Sequence, residues 1–132
     1  MKRRLSILVA VVLTMVMSIS VALAEYKSEG SIILPAASAS TKNAIADNRK
    51  DAYAWTHGST NAYVSVKTTV YYFNPSTETY YSINIPKASG SINANNDAPN
   101  LSGSNYYYKV TSTHTASYDV YFDSMDLTTI VP

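Results

Sequence analysis

His57 and His114 are the two imidazoles of the chain, and no cysteine accompanies them. A nucleophile, base and acid set would have to be drawn from His114, Asp119 and one of many serines. No Gly-x-Ser-x-Gly segment exists to hold a serine at the strained turn that presents its hydroxyl to a base. His114 falls on the apolar parity of its segment, where a hydrogen-bonded, partly buried imidazole is the commoner outcome. His57 precedes Gly58 at an expected turn and should face water. Lying on separate segments, the two lack the local spacing of a zinc site. Gly30, Gly58, Gly90 and Gly103 are scattered singly, so no phosphate-cradling loop is expected and no nucleotide cofactor with it. The chain therefore reads as non-catalytic, with no cofactor.

Oxygen-rich clusters are the next chemistry to weigh. Asp119, Asp123 and Asp126 crowd one expected turn, and Asn93, Asn95, Asn96 and Asp97 another segment. Such groups can hold calcium. Neither cluster has a calcium-loop spacing, and Asn, Asp and Ser are also the ordinary residues of turns; no metal site is assigned. The aromatic residues are the remaining signal. Tyr63, Tyr71 and Tyr80 share one expected sheet face, and Trp55 could join them as a surface for sugar rings or a protein partner. The same rings could serve as scaffold, because cross-strand aromatic pairs stabilise a sheet by about 0.2–1 kcal/mol each.

The elements that must position these side chains are strands. All twelve Tyr follow residue 24, together with many Thr, Ser and Asn, and β-branched and aromatic residues suit a pleated, half-buried surface. Ala62–Tyr72 alternates strictly, with Val64, Val66 and Val70 on one face. Thr77–Ile85 repeats the pattern with Tyr81, Ile83 and Ile85. Pro75 cannot take the first central position of a mirror-image two-residue turn, so Asn74–Thr77 is expected as a four-residue loop. That register sets Val70 beside Tyr81 and Tyr71 beside Tyr80, with the apolar pairs on one face. Tyr106–Phe122 is either one long bent strand or a pair broken near Ser112–Ser117. The small or polar inward residues there favour the break, with a turn at Asp123-Ser124 leading into Met125–Val131. Ser31–Leu34, Ala39–Ala46 and Ala52–Thr56 are weaker strands around an Asp47–Lys50 turn. Lys87–Asn105 reads as a long loop hiding one short strand at Ser89–Ala94. About seven short strands with turn signals roughly every ten residues indicate an antiparallel β-sandwich.

Export is the expected destination. Lys2, Arg3 and Arg4 precede an apolar run from Leu5 to Met17, and the segment closes on Ala22-Leu23-Ala24. This is the charged, apolar, small-x-small order of a secretory signal helix cleaved after Ala24. The run approaches the roughly 20 residues of a membrane span, but Ser18, Ser20 and the small-residue exit favour cutting. Removal leaves residues 25–132 as a single domain, with 25–38 a candidate loose N-terminal segment. The leader takes three of the ten basic residues, so seven Lys and Arg then face nine Asp and Glu. A slightly acidic product argues against nucleic acid, which needs clustered basic residues. An exported domain without disulfides must rely on its hydrophobic core.

Leu101-Ser-Gly-Ser-Asn-Tyr106-Tyr-Tyr108-Lys-Val110 resembles the turn into the penultimate strand of immunoglobulin-like and fibronectin type III-like sandwiches. There a Leu, a polar turn and a Tyr precede alternating inward residues, and the Tyr hydroxyl bonds back to the corner's backbone. The resemblance implies that Tyr106 is the corner tyrosine, with Tyr107 as the substitute if the turn is one residue short. Across Ala62–Thr115 the order of elements also resembles small exported proteins of Gram-positive bacteria that have no assigned activity. It implies an immunoglobulin-like sandwich and export, and no chemistry. The expected function is a secreted binding module for a surface polymer or protein partner. A bacteriocin-like or toxin-like antagonist and a small hydrolase are the alternatives.

Overall fold

The computed structural model describes residues 25–132, and the expected signal helix over residues 1–24 lies outside the described residues. These residues form eight strands: β1 (Glu25–Leu34), β2 (Ala37–Ala46), β3 (Ala52–Gly58), β4 (Tyr63–Asn74), β5 (Thr79–Ser91), β6 (Asn93–Asp97), β7 (Tyr106–Tyr118) and β8 (Tyr121–Ile130). There is no helix among them. Two four-stranded antiparallel sheets result, ordered β1-β2-β3-β6 and β5-β4-β7-β8. The chain builds three strands of the first sheet, crosses to make β4 and β5, returns for β6, and crosses again to close with β7 and β8. Residues 25–34 are a full partner of β2, with ten consecutive pairs from Glu25–Ala46 to Leu34–Ala37.

The alternation that predicts the strands also explains the core. Val64, Val66 and Val70 of β4 are fully buried, as are Ile45 of β2 and Val110 of β7. Two apolar clusters occupy opposite ends of the interior. One gathers Ile32, Leu34, Val64, Val66 and several alanines; the other gathers Ile45, Val70, Leu101, Tyr107, Val110 and Val131. A polar belt of Thr41, Asn43, Thr56, Thr68, Asn96, Ser112, His114 and Thr129 is also buried. Burying such groups costs several kcal/mol unless each finds a partner, and among the described residues no buried side-chain N or O atom lacks one.

Four expectations change. In the β4–β5 hairpin the loop is Pro75–Glu78, so Val70 pairs with Ile83, Tyr71 with Ser82 and Phe73 with Tyr80. Glu78 takes a left-handed φ of 51°, which lets the loop start one residue later and end one residue later. The pairing shifts by two, and the faces are preserved. Second, β5 continues through Pro86 because Pro86-Lys87 oppose Lys67 in a bulge between the Thr68–Ile85 and Val66–Ala88 pairs. A proline is tolerated on such an edge strand at a bulge. Third, β7 runs unbroken from Tyr106 to Tyr118, and the turn into β8 is Asp119-Val120, with Tyr118 beside Tyr121. Ser112 and His114 do not break the strand, since partners from the other sheet satisfy them. Fourth, the tyrosine that turns inward is Tyr107 and not Tyr106: its ring is fully buried in the cluster that holds Leu101, and its hydroxyl donates to the Pro99 carbonyl at 2.6 Å. Burial pushes its phenol pKa up to about 12. The inversion follows from a bulge in β7, where Tyr72 pairs with Tyr107 but Tyr71 pairs with Lys109. Tyr108 is the extra residue, and the parity switches across it.

Candidate functional site

The polar belt holds the groups most able to do chemistry, and they are linked in one direction. Asn43 Nδ2 donates to Ser112 Oγ at 2.9 Å. Ser112 Oγ lies 2.6 Å from His114 Nε2, and His114 Nδ1 lies 2.8 Å from Thr56 Oγ1, which itself donates to the Ser65 carbonyl at 3.0 Å. Since the Thr56 proton is committed to Ser65, the imidazole must donate from Nδ1 and accept at Nε2 from Ser112. Asn43 Oδ1 accepts from Thr129 Oγ1 at 2.6 Å, which completes the link to β8. Burial pushes His114 down to about 4, against the opposing charge of Asp126. Ser112 and His114 thus meet as a nucleophile and base would, but both are closed off from solvent, and Asp119 sits at the β7–β8 turn, away from them. Their geometry is that of a structural tie between the sheets. His57 is exposed and stacks on Trp55 at 4.3 Å between ring centres.

The outward face of the second sheet is different in kind. Tyr71 and Phe73 of β4 alternate with the inward Val70 and Tyr72, and so point away from the core. Phe73 meets Tyr80 of β5 at 4.7 Å between ring centres and Tyr106 of β7 at 5.6 Å. Tyr108, turned outward by the bulge, meets Tyr80 at 5.4 Å and Tyr71 at 6.3 Å. Burial and the neighbouring Tyr80 and Tyr71 hydroxyls raise the Tyr108 pKa. Five rings from three strands therefore form one patch, and Tyr80 keeps 67% of its surface exposed. Cations flank it. Lys109 Nζ lies 4.9 Å from the Tyr71 ring centre, and the Arg49 guanidinium 4.3 Å from that of Tyr106. Arg49 is fixed there by its Nε bond to the Tyr107 carbonyl and by the Tyr107 amide bonding to its own carbonyl.

Along the same face the patch gives way to hydroxyls. Thr69 pairs with Asn84 and Thr111, and Thr111 with Thr128, in a row across four strands. Beside them a groove of about 410 Å³ is lined by Lys67, Thr69, Thr111, Thr113, Asp126 and Thr128, with Ser112 and Leu127 also reaching its wall. Thr113 Oγ1 donates to Asp126 at 2.7 Å. Of the four aromatic residues expected as a site, the structure brings Tyr71 and Tyr80 together. Tyr63 is exposed at the far end of β4, eight residues from Tyr71, and Trp55 lies on β3 in the other sheet. Phe73, Tyr106 and Tyr108 complete the patch and were missed. Phe73 was legible as the same-parity neighbour of Tyr71, but the other two depend on the bulge.

The acidic residues do not converge. Asp119 occupies the hairpin turn, Asp123 lies opposite Ala116, and Asp126 faces the groove from beside Thr113. Among the described residues no three His, Asp or Glu side chains are grouped to share a metal ion. At the edge of the first sheet, Glu25 is hydrogen-bonded by Lys42 and by the Tyr53 hydroxyl, the latter at 2.6 Å. Those two bonds lower the Glu25 pKa. No protein-family model matches the chain, and no curated protein is significantly similar to it.

Proposed function

We propose that this chain is an exported, non-catalytic binding module that holds a surface polymer on the outer face of its second sheet. The observation that carries the reading is the patch of Tyr71, Phe73, Tyr80, Tyr106 and Tyr108, continuous with a hydroxyl-lined groove. Aromatic faces bury apolar ring surface at low entropic cost, while hydroxyls and an amide beside them can exchange hydrogen bonds with a polar ligand. A long, shallow, open face suits a chain better than a small metabolite, which needs enclosure.

A fibronectin type III-like architecture accords with the strand order. Setting β1 aside as an added edge strand, β2-β3-β6 faces β5-β4-β7-β8, and Tyr107 stands where the corner tyrosine of such domains would. Export accords with the charged, apolar, small-x-small order of residues 2–24. The test is co-sedimentation of the protein with envelope material from bacteria. Replacing both Tyr80 and Tyr108 by Ala should weaken retention at least about tenfold, the loss of roughly 1.4 kcal/mol, while Trp55→Ala and Tyr63→Ala should leave it unchanged. Equal retention of all variants would refute the assignment of this face.

A further inference from the structure

The charges on the proposed binding face point to the chemistry of its ligand. Lys67 and Lys109 share the outward parity of β4 and β7, and Lys87 is exposed in the β5 bulge across from Lys67. Arg49 adds a fourth cation at the rim over Tyr106. Against them the face carries one acid, Asp126, with Glu78 in the turn at its end. Acids outnumber bases after residue 24, yet this face gathers most of the bases. Elsewhere Lys42 is offset by Glu25 and Lys27 by Glu29 at 3.2 Å, and Lys50 is committed to the Gly103 and Asn105 carbonyls. Lys67, Lys87 and Lys109 have no ion-pair partner among the described residues.

Resting on the reading of this face as the binding surface, we infer that its ligand is an anionic glycan. The sugar rings lie on Tyr71, Phe73, Tyr80 and Tyr108, and carboxylate or phosphodiester groups meet Lys109, Lys67 and Lys87. Spacing fits an extended chain, because Tyr71 and Lys67 are four residues apart on one face of β4, about 13 Å at roughly 3.3 Å per residue. The row of Thr69, Thr111, Thr128 and Asn84 lies between the aromatic patch and Lys67, where neutral hydroxyls of the chain would find partners. Single-stranded nucleic acid also combines rings with phosphates. Its sites track the backbone with a basic groove and present rings for stacked bases, whereas this groove contains Asp126, and the rings tilt against one another by 45° to 79° at Tyr80.

The experiment titrates the protein, expressed from the full-length reading frame, with polygalacturonate, its neutral methyl ester, a phosphodiester-linked poly(N-acetylhexosamine phosphate) and oligo-dT. Each titration is run at about 20 mM and about 500 mM NaCl, between which the Debye length shrinks to a few ångströms. Binding to a polyanionic glycan should be at least tenfold tighter than to the neutral ester and should weaken at least tenfold in high salt. The triple replacement Lys67→Gln, Lys87→Gln and Lys109→Gln, at two exposed positions and one half-buried one, should lose the same factor while a urea titration shows the fold retained. The preferred polyanion then tells carboxylate from phosphodiester. Equal affinity for the neutral ester, an unaffected triple variant, or no polyanion binding while envelope retention still depends on Tyr80 and Tyr108 would overturn the anionic inference and leave the binding face standing. Retention indifferent to those tyrosines would bring down the face itself, and tighter binding of oligo-dT than of any glycan would replace the ligand class.

Discussion

Lowering the pH should loosen this fold through His114. In the unfolded chain a histidine titrates near 6.5, whereas burial holds His114 at about 4 in the fold. Between those values the unfolded chain binds a proton that the folded chain refuses. Stability therefore rises with pH across that window and is lost as pH falls through it. At about 1.4 kcal/mol for each pH unit separating the two values, His114 contributes about 3 kcal/mol less at pH 4 than at pH 7. That is a large part of the 5–15 kcal/mol usual for a domain of this kind. The hydrogen bonds give the cause. A second proton on Nε2 would turn an acceptor for Ser112 into a donor, and Ser112 Oγ already accepts from Asn43.

Urea denaturation at pH 7, 5.5 and 4 measures the effect, and the His114→Gln variant isolates it. Glu25, held below its ordinary pKa, adds a pH dependence of the same sign that survives in the variant. The wild type should therefore lose about 3 kcal/mol more than the variant does over this range. Nitrogen NMR should find the imidazole neutral with its proton on Nδ1 down to about pH 5. An imidazole titrating near 6.5, or identical pH profiles for the two proteins, would refute the reasoning.

Tyr107→Phe should cost about 1 kcal/mol in chemical denaturation, because Pro99 is exposed and its carbonyl can turn to water, while Tyr106→Phe should cost almost nothing. Asn43→Ala should cost about 2–3 kcal/mol by the same measurement, since it takes from the interior the amide that donates to Ser112 Oγ and the Leu127 carbonyl, while the Thr129 hydroxyl keeps Ser28. Glu78→Gly, at an exposed position with φ 51°, should raise the urea midpoint by the equivalent of about 0.5–1 kcal/mol as the left-handed strain is relieved.

Strand identity was legible because alternation is a local property, and it survived in β2, β3 and β4 with nearly the expected bounds. Turns were less legible for one physical reason. This chain has four glycines, and its reversals place Ala36, Arg49, Glu78, Ile92 and Asp119 at positive φ instead. Nothing in the type of an Ala, Arg, Glu or Ile announces a left-handed backbone. The β4–β5 loop was thus misplaced by one residue at each end, and the β7–β8 turn was sought at Asp123-Ser124. Ile92, β-branched, is the most strained of the five. Its conformation brings its carbonyl to the Gly58 amide and its amide to the Ala62 carbonyl, so the β5–β6 reversal is tied across to the β3–β4 loop.

The same distinction between local and long-range information decides how much of the binding face could be read. Tyr71 and Tyr80 are visible as outward residues of a hairpin, and a register error of two moved Tyr80 from Tyr71 to Phe73 without leaving the face. Tyr106 and Tyr108 cannot be assigned by parity, because the three consecutive tyrosines alternate either way. Packing settles it: one ring of the three must fill the space beside Leu101 and Val110 with its hydroxyl near the corner, and Tyr107 does so. Once Tyr107 is buried, Val110 three residues on can also be buried only if the strand gains a residue. The bulge at Tyr108 is that residue, and it turns a second ring outward toward Tyr71 and Tyr80. The corner that anchors the sandwich and the patch proposed to hold a ligand thus share one backbone irregularity. Deleting Tyr108 should therefore separate the two: Tyr107, Lys109 and Val110 would fall into plain alternation opposite Tyr72, Tyr71 and Val70, keeping the core and the urea midpoint while the patch loses one ring and retention weakens.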